Sequence, residues 1–225
     1  MVRFISAFSR LLFPRTCVVC GDVLVEGERF LCSGCLGGLP LNEGMDEDAD
    51  EEIRGDLGIE NLFWLFRYDR KSDYHRLVHA VKYRSNRELG VWAGRMLGER
   101  MRNADGIDCV IPVPLHPKRE KDRGFNQAFL IGTGIAEVLG IRLEPDRLRR
   151  VVNTPSQTGL ERERRAGNVA NAFRLENVEG LEGCHVLLVD DVMTSGATIR
   201  ACMAELCKIK GIRVSVACLG KSGNI

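Results

Sequence analysis

A chain of 225 residues that is 44% hydrophobic and 28% charged, with a net charge of +1, is long enough for one sizeable core plus an accessory module. No apolar stretch is long enough to span a membrane, and nine cysteines in a chain of this length do not describe a small disulfide-built secreted domain. Four of them form two CxxC pairs and five are scattered, several in apolar stretches, which fits a reducing compartment and a cytoplasmic location.

The opening MVRFISAFSRLLFP has the early arginine and apolar residues of a signal peptide. Arg10 interrupts it and no small-residue cleavage site follows, so it reads as a short amphipathic helix. The segment CVVCGDVLVEGERFLCSGC then places Cys17 and Cys20, and after eleven residues Cys32 and Cys35. Each pair bends the chain so that two thiolates face one ion, and four thiolates close a tetrahedral zinc site with no open position for a reacting water. The expectation is structural zinc that folds a small head, residues 1–42. With few basic residues (Arg15, Arg29) and no aromatic platform, the head has little of a nucleic-acid surface.

Residues 43–58 follow as an acidic linker. Within 43–56 eight acids stand against one base, which predicts a solvated, mobile tether. The main domain, 59–225, opens with NLFWLFRYD as a strand. Helical spacing of Tyr74, Leu77, Val78 and Val81 comes next, then a helix from Glu88 to Met101. DCVIPVP reads as a short strand ended by prolines, and GFNQAFLIGTGIAEVLG as a helix stopping at Gly140. One strand is expected within 141–152, a polar loop over 153–160 and partial helix in ERERRAGNVANAF. HVLLVD then reads as a strand, ATIRACMAELCKIKG as a helix and RVSVACL as a last strand. Strands alternating with helices predict an α/β, doubly wound, mainly parallel sheet. HVLLVD is almost wholly apolar, as a strand covered on both faces should be. Cys109, Cys184, Cys202, Cys207 and Cys218 lie in or beside these elements and read as small buried hydrophobes.

The candidate chemistry gathers after HVLLVD, in DDVMTSGAT. Ligands of open parallel sheets bind beyond the carboxyl ends of the strands, where Asp190 and Asp191 are expected. The following loop opens a helix whose first N–H groups favour an anion such as a phosphate. Thr194, Ser195 and Thr198 add hydroxyls, and Gly196 lets the backbone approach closely. Two acceptors next to such a cradle suit sugar hydroxyls or a hydrated metal ion. A bare acid pair would read as a strand end with solvated carboxylates. The order of apolar strand, acid pair and T-S-G-A-T favours a ligand site. There is no GKS or GKT, so this is not a Walker loop.

This segment resembles the phosphoribosyl pyrophosphate signature of type I phosphoribosyltransferases. With IPVPLHPKREKDRGFNQA, RVVNTPSQTGLERERRAGNVANAF and the double CxxC head, the chain resembles the ComF family within them. The resemblance implies binding of phosphoribosyl pyrophosphate with Mg2+, and a role in handling DNA during natural transformation. It assigns Asp190 and Asp191 to the ribose hydroxyls and to stabilising positive charge at the anomeric carbon. It assigns Met193, Thr194, Ser195, Gly196, Ala197 and Thr198 to the 5′-phosphate. The segment with His116, Lys118, Arg119 and Arg123 becomes the pyrophosphate loop, with Lys118 and Arg119 the first choices. His116 is either a general base or a structural hydrogen-bond partner. Arg150, Thr154, Gln157, Arg164 and Asn168 follow as a polar series; Gln157, Arg164 and Asn168 resemble a mobile loop closing over substrate, or form an exposed helix face. Lys82 matches a family position and otherwise reads as an exposed helix lysine. Three functions follow as expectations: phosphoribosyl transfer to an unidentified acceptor, a non-catalytic sensor of the sugar phosphate, or a single-strand DNA-binding module working with DNA-uptake proteins. A homodimer is common in the superfamily.

Overall fold

The apolar run HVLLVD becomes the middle strand of the molecule, in a computed structural model that describes residues 14–42, 47–82, 86–152 and 171–222. The strands are β1 (Leu62–Tyr68), β2 (Cys109–Pro112), β3 (Arg142–Leu143), β4 (Leu148–Arg150), β5 (Phe173–Leu175), β6 (His185–Met193) and β7 (Arg213–Ser222). The helices are α1 (Ser33–Gly37), α2 (Glu47–Leu57), α3 (His75–Val81), α4 (Arg87–Arg100), α5 (Pro117–Arg123), α6 (Gln127–Leu139) and α7 (Ala197–Leu206). Five strands form one parallel sheet in the order β1-β7-β6-β2-β3, and β4 and β5 pair antiparallel beside it. The α/β parallel sheet expected from the alternating pattern is the observed fold.

Alternation along β6 divides the core into two layers. Val186 and Leu188 join Ile199, Cys202 and Leu206 of α7 on one face. Leu187 and Val189 join α3, α4 and α6 on the other. There α4 and α6 pass backbone to backbone. A Cβ on Gly94 would lie 2.1 Å from the Ile131 carbonyl oxygen, and one on Gly134 would lie 2.1 Å from that of Val91. Only hydrogen at these Cα atoms permits that approach.

Three expectations change. The acidic stretch expected as a solvated tether carries helix α2 over residues 47–57, and Ile53 and Leu57, four residues apart, are buried in the α7-side core. Asp50 accepts a hydrogen bond from Trp64 Nε1 at 2.8 Å, and its other oxygen lies 2.5 Å from the buried Lys221 amine. Composition averaged the two faces of this helix and hid the inner one. The segment PKREKDR, expected as a basic loop, forms α5, with Pro117 in its first turn and Gly124 at φ 82° ending it. Proline without its N–H is tolerated there, and glycine accepts the left-handed cap. The single strand expected within 141–152 is two short ones.

The cysteine head packs on the main domain through α3 and α4. Cys17, Val19, Leu31 and Leu39 share a core cluster with Leu77, Val78 and Val81. Arg76 donates to the Val19 carbonyl at 2.7 Å, Tyr74 donates to the Cys35 carbonyl at 3.0 Å, and Phe30 tilts against Trp92 with ring centroids 5.4 Å apart. Among the described residues no helix is long and apolar enough to cross a membrane.

Candidate functional site

The two adjacent carboxylates leave β6 on opposite sides, because side chains of a strand alternate. Asp190 continues the series Val186, Leu188 toward α7. The charges acting on it are those of Asp191, Lys82 and Arg150, and the buried Cys202 thiol lies near. Burial, followed by the charge of Asp191, pushes the Asp190 carboxyl up to about 8, against the pull of the Asp191 N–H, Lys82 and Arg150. Asp191 follows Leu187 and Val189 to the α3 side, where its Oδ2 lies 3.3 Å from the Lys82 amine. Each carboxylate is also fixed locally: Asp190 Oδ1 accepts from the Asp191 N–H and Asp191 Oδ1 from the Val192 N–H, both at 2.8 Å. The pair is thus partly neutralised, and its members occupy different surroundings.

The strand runs on to Met193, whose side chain is buried, so only its backbone faces the loop. Thr194 and Ser195 lie in that loop, half-buried, and Gly196 caps α7 at φ 69°. Ala197 and Thr198 form the first turn of α7, where backbone N–H groups lack helical partners. A Cβ on Gly196 would lie 3.6 Å from Leu57 of α2, and Asp56 pairs with Arg200 in the next turn of α7. Helix α2 therefore borders the cradle. Nothing in the sequence around Arg200 marks it until α2 is in place.

Arg150 stands on the Asp190 side, with Arg119 and Arg123 close to it. Burial, then the charges of Arg150 and Arg123, lower the Arg119 pKa; burial foremost lowers that of Arg150, which senses both Asp190 and Arg123. Arginine stays protonated through such shifts, so the trio is a fixed positive cluster. Arg119 and Arg123 are four residues apart on α5 and share a face. Arg123 Nη1 donates to Gln127 Oε1 at 2.9 Å, and Arg150 stacks over Phe173 at 5.3 Å. Asn126 joins α6 to the end of β2, donating to the Val113 carbonyl and accepting from the Ala128 N–H, each at 3.0 Å. Lys118 is exposed on α5. His116 is the N-cap of that helix, its Nδ1 accepting from the Lys118 N–H at 3.3 Å. Thr154, Gln157, Arg164 and Asn168 lie outside the described residues, as do the loop expected over 153–160, most of ERERRAGNVANAF and all but Pro14 of the helix expected in MVRFISAFSRLLFP.

In the head, the sulfur atoms of Cys17, Cys20, Cys32 and Cys35 lie within 4.8 Å of one another, and Cys20 and Cys32 are 3.7 Å apart. Four thiolates at Zn–S of about 2.3 Å in a tetrahedron stand roughly 3.8 Å from each other, so the set fits a structural zinc ion. Of the other cysteines, Cys109, Cys202 and Cys218 are buried as expected. Cys184 is half-buried and Cys207 exposed, because each lies at an element's end rather than within the sheet.

Residues 8–45 match the model of the double zinc ribbon domain, and this stretch holds four cysteines, enough for one such ion. The chain is 34% identical over 149 residues to the DNA utilization protein YhgH of Salmonella typhi, covering 64% of this chain and 65% of that protein. It is 38% identical over 93 residues to competence protein F of Haemophilus influenzae, covering 41% of each. The alignments thus span less than two thirds of these relatives' own lengths. Among solved structures, adenine phosphoribosyltransferase from Saccharomyces cerevisiae aligns with 61% of this chain and 69% of its own, at 15% identity and a TM-score of 0.39.

Proposed function

We propose that this homologue of the ComF-family competence and DNA utilization proteins binds phosphoribosyl pyrophosphate and transfers its phosphoribosyl group to an acceptor. One observation carries the reading. An acid pair at the carboxyl end of the middle strand runs directly into a glycine-capped helix start, with Arg150 beside Asp190 and Arg119 and Arg123 next to Arg150. The α7 start, with Thr194, Ser195 and Thr198, suits the 5′-phosphate. Asp190 and Asp191 suit the ribose hydroxyls and positive charge developing at the anomeric carbon. Arg119 and Arg123, with Arg150, suit a pyrophosphate that departs carrying several negative charges.

Magnesium fits as a partner of the donor's own oxygens. The acid pair already has Lys82 and Arg150 beside it, so Asp190 and Asp191 would hold the ion only together with the ligand. When bound, the ion neutralises charge on the leaving group. A second reading, contact with single-stranded DNA, is favoured by the exposed Lys118 and Lys121 of α5 and by the DNA role that the relatives' names carry.

Labelled-pyrophosphate release with a panel of nucleobases, amines and DNA ends tests transfer. The expected result is release by the wild type with one acceptor class and none by the Asp190→Asn, Asp191→Asn double variant. Tight donor binding with no release from any acceptor removes the transfer step and leaves a sensor. Salt-sensitive DNA binding that falls on Lys118→Ala, Lys121→Ala supports the second reading.

A further inference from the structure

The cysteine head and the acid pair are joined by one short helix. Helix α3 meets the head at its start, through Tyr74 and Arg76, and ends at Lys82, whose amine is 3.3 Å from Asp191. We propose that Tyr74 and Arg76 are positioning residues through which the metal-loaded head holds Lys82 against Asp191, so that loading of the head sets the affinity of the acid pair for its ligand. The ligand half of this rests on the phosphoribosyl pyrophosphate reading; the coupling between head and Lys82 does not.

The acceptors of the two hydrogen bonds make the connection specific. Tyr74 donates to the carbonyl of Cys35, itself one of the four thiolate residues. Arg76 donates to the carbonyl of Val19, inside the Cys17–Cys20 turn that supplies two more. Both carbonyls therefore stand where the metal organises the chain, and a head that loses its ion loses them as fixed acceptors. Between the two ends, Leu77, Val78 and Val81 pack in the cluster that contains Cys17, Val19, Leu31 and Leu39. Seven residues of helix span only about 10 Å, so a shift at the first turn is carried to the last. There the Lys82 amine and Asp191 are about one-third and one-fifth exposed, and a pair so sheltered is screened less than a surface pair. Arg29, paired with Glu88 on α4, and Phe30 against Trp92 hold the head's other side. Metal loss would therefore loosen α3 at Tyr74 and Arg76, where its polar contacts with the head depend on the metal-organised turns.

Acylation of lysine amines by an N-hydroxysuccinimide ester, read by mass spectrometry on the full chain with and without zinc, tests the coupling with no ligand present. Lys208 and Lys210, near the end of α7, serve as references. Zinc removal is expected to speed acylation of Lys82 about fivefold while the references hold, and Tyr74→Phe with its metal in place about twofold. An unchanged Lys82 rate after zinc removal overturns the proposal. If all three lysines accelerate together the chain has opened as a whole, and the loaded Tyr74→Phe variant decides: no change at Lys82 there overturns it equally. In a second arm, zinc removal should weaken phosphoribosyl pyrophosphate binding roughly tenfold in the wild type and much less in Lys82→Ala. Equal weakening in both overturns the route through Lys82. If the loaded wild type does not bind this ligand at all, the ligand reading fails, while the acylation rates still judge the coupling.

Discussion

The two faces of β6 are built differently. On the α3 side, two helices touch backbone to backbone at Gly94 and Gly134, the cysteine head adds a further layer, and Asp191 has Lys82 at 3.3 Å. On the α7 side, the cover near the site is a short acidic helix anchored by Ile53, Leu57 and Asp50, and the half-buried Asp190 has its carboxyl pushed up to about 8 by desolvation and by the charge of Asp191. Neighbouring residues of one type thus acquire different chemistry from the layers they enter. An adjacent acid pair in a strand is not a doubled charge at one point.

Substitutions can break or sharpen this contrast. The largest effect is expected on the closely packed face. Gly134→Ala places a methyl 2.1 Å from the Val91 carbonyl oxygen and should cost about 3 kcal/mol or more in a urea-unfolding measurement. A cost below roughly 1 kcal/mol would mean that the helices can separate at little expense. On the opposite face, Ile53→Ala should cost about 2 kcal/mol, whereas a solvated tether would give no change.

Asp190→Asn should do the reverse and stabilise. A carboxyl whose folded pKa is raised from 3.8 to about 8 contributes fully to stability only below the unfolded value, and that contribution is lost as pH rises through this window. The variant should therefore melt above the wild type at pH 8, with the gain vanishing toward pH 4. A pH-independent difference would remove the protonation argument. The smallest effect is expected at the pair between Asp56 and Arg200, both largely exposed. Asp56→Ala should change stability by about 0.5 kcal/mol or less.

Much of this was legible because it is local. The period of HVLLVD, the T-S-G-A-T loop and the CxxC spacing each carry their meaning within a few residues, and the parallel sheet and thiolate cluster followed. What was illegible depends on a face or on a distant partner. The buried side of α2 appears only when Ile53 and Leu57 are separated from the acids around them. Apart from the family position it matches, Lys82 reads as an exposed helix lysine, because its partner is 109 positions away, as the difference between 191 and 82. The backbone contact at Gly94 has a sequence trace in the glycines at 90, 94 and 98, which share a helix face four apart. His116 had a signal too: it precedes Pro117, the usual first residue of a helix, which makes it the capping position.

The most direct test of the account is calorimetric titration of the full chain with phosphoribosyl pyrophosphate and Mg2+. Saturable binding by the wild type, weakened about a hundredfold or more in the Asp190→Asn, Asp191→Asn variant while that variant stays folded, is the predicted result. No binding by the wild type, or equal binding by both proteins, would contradict it.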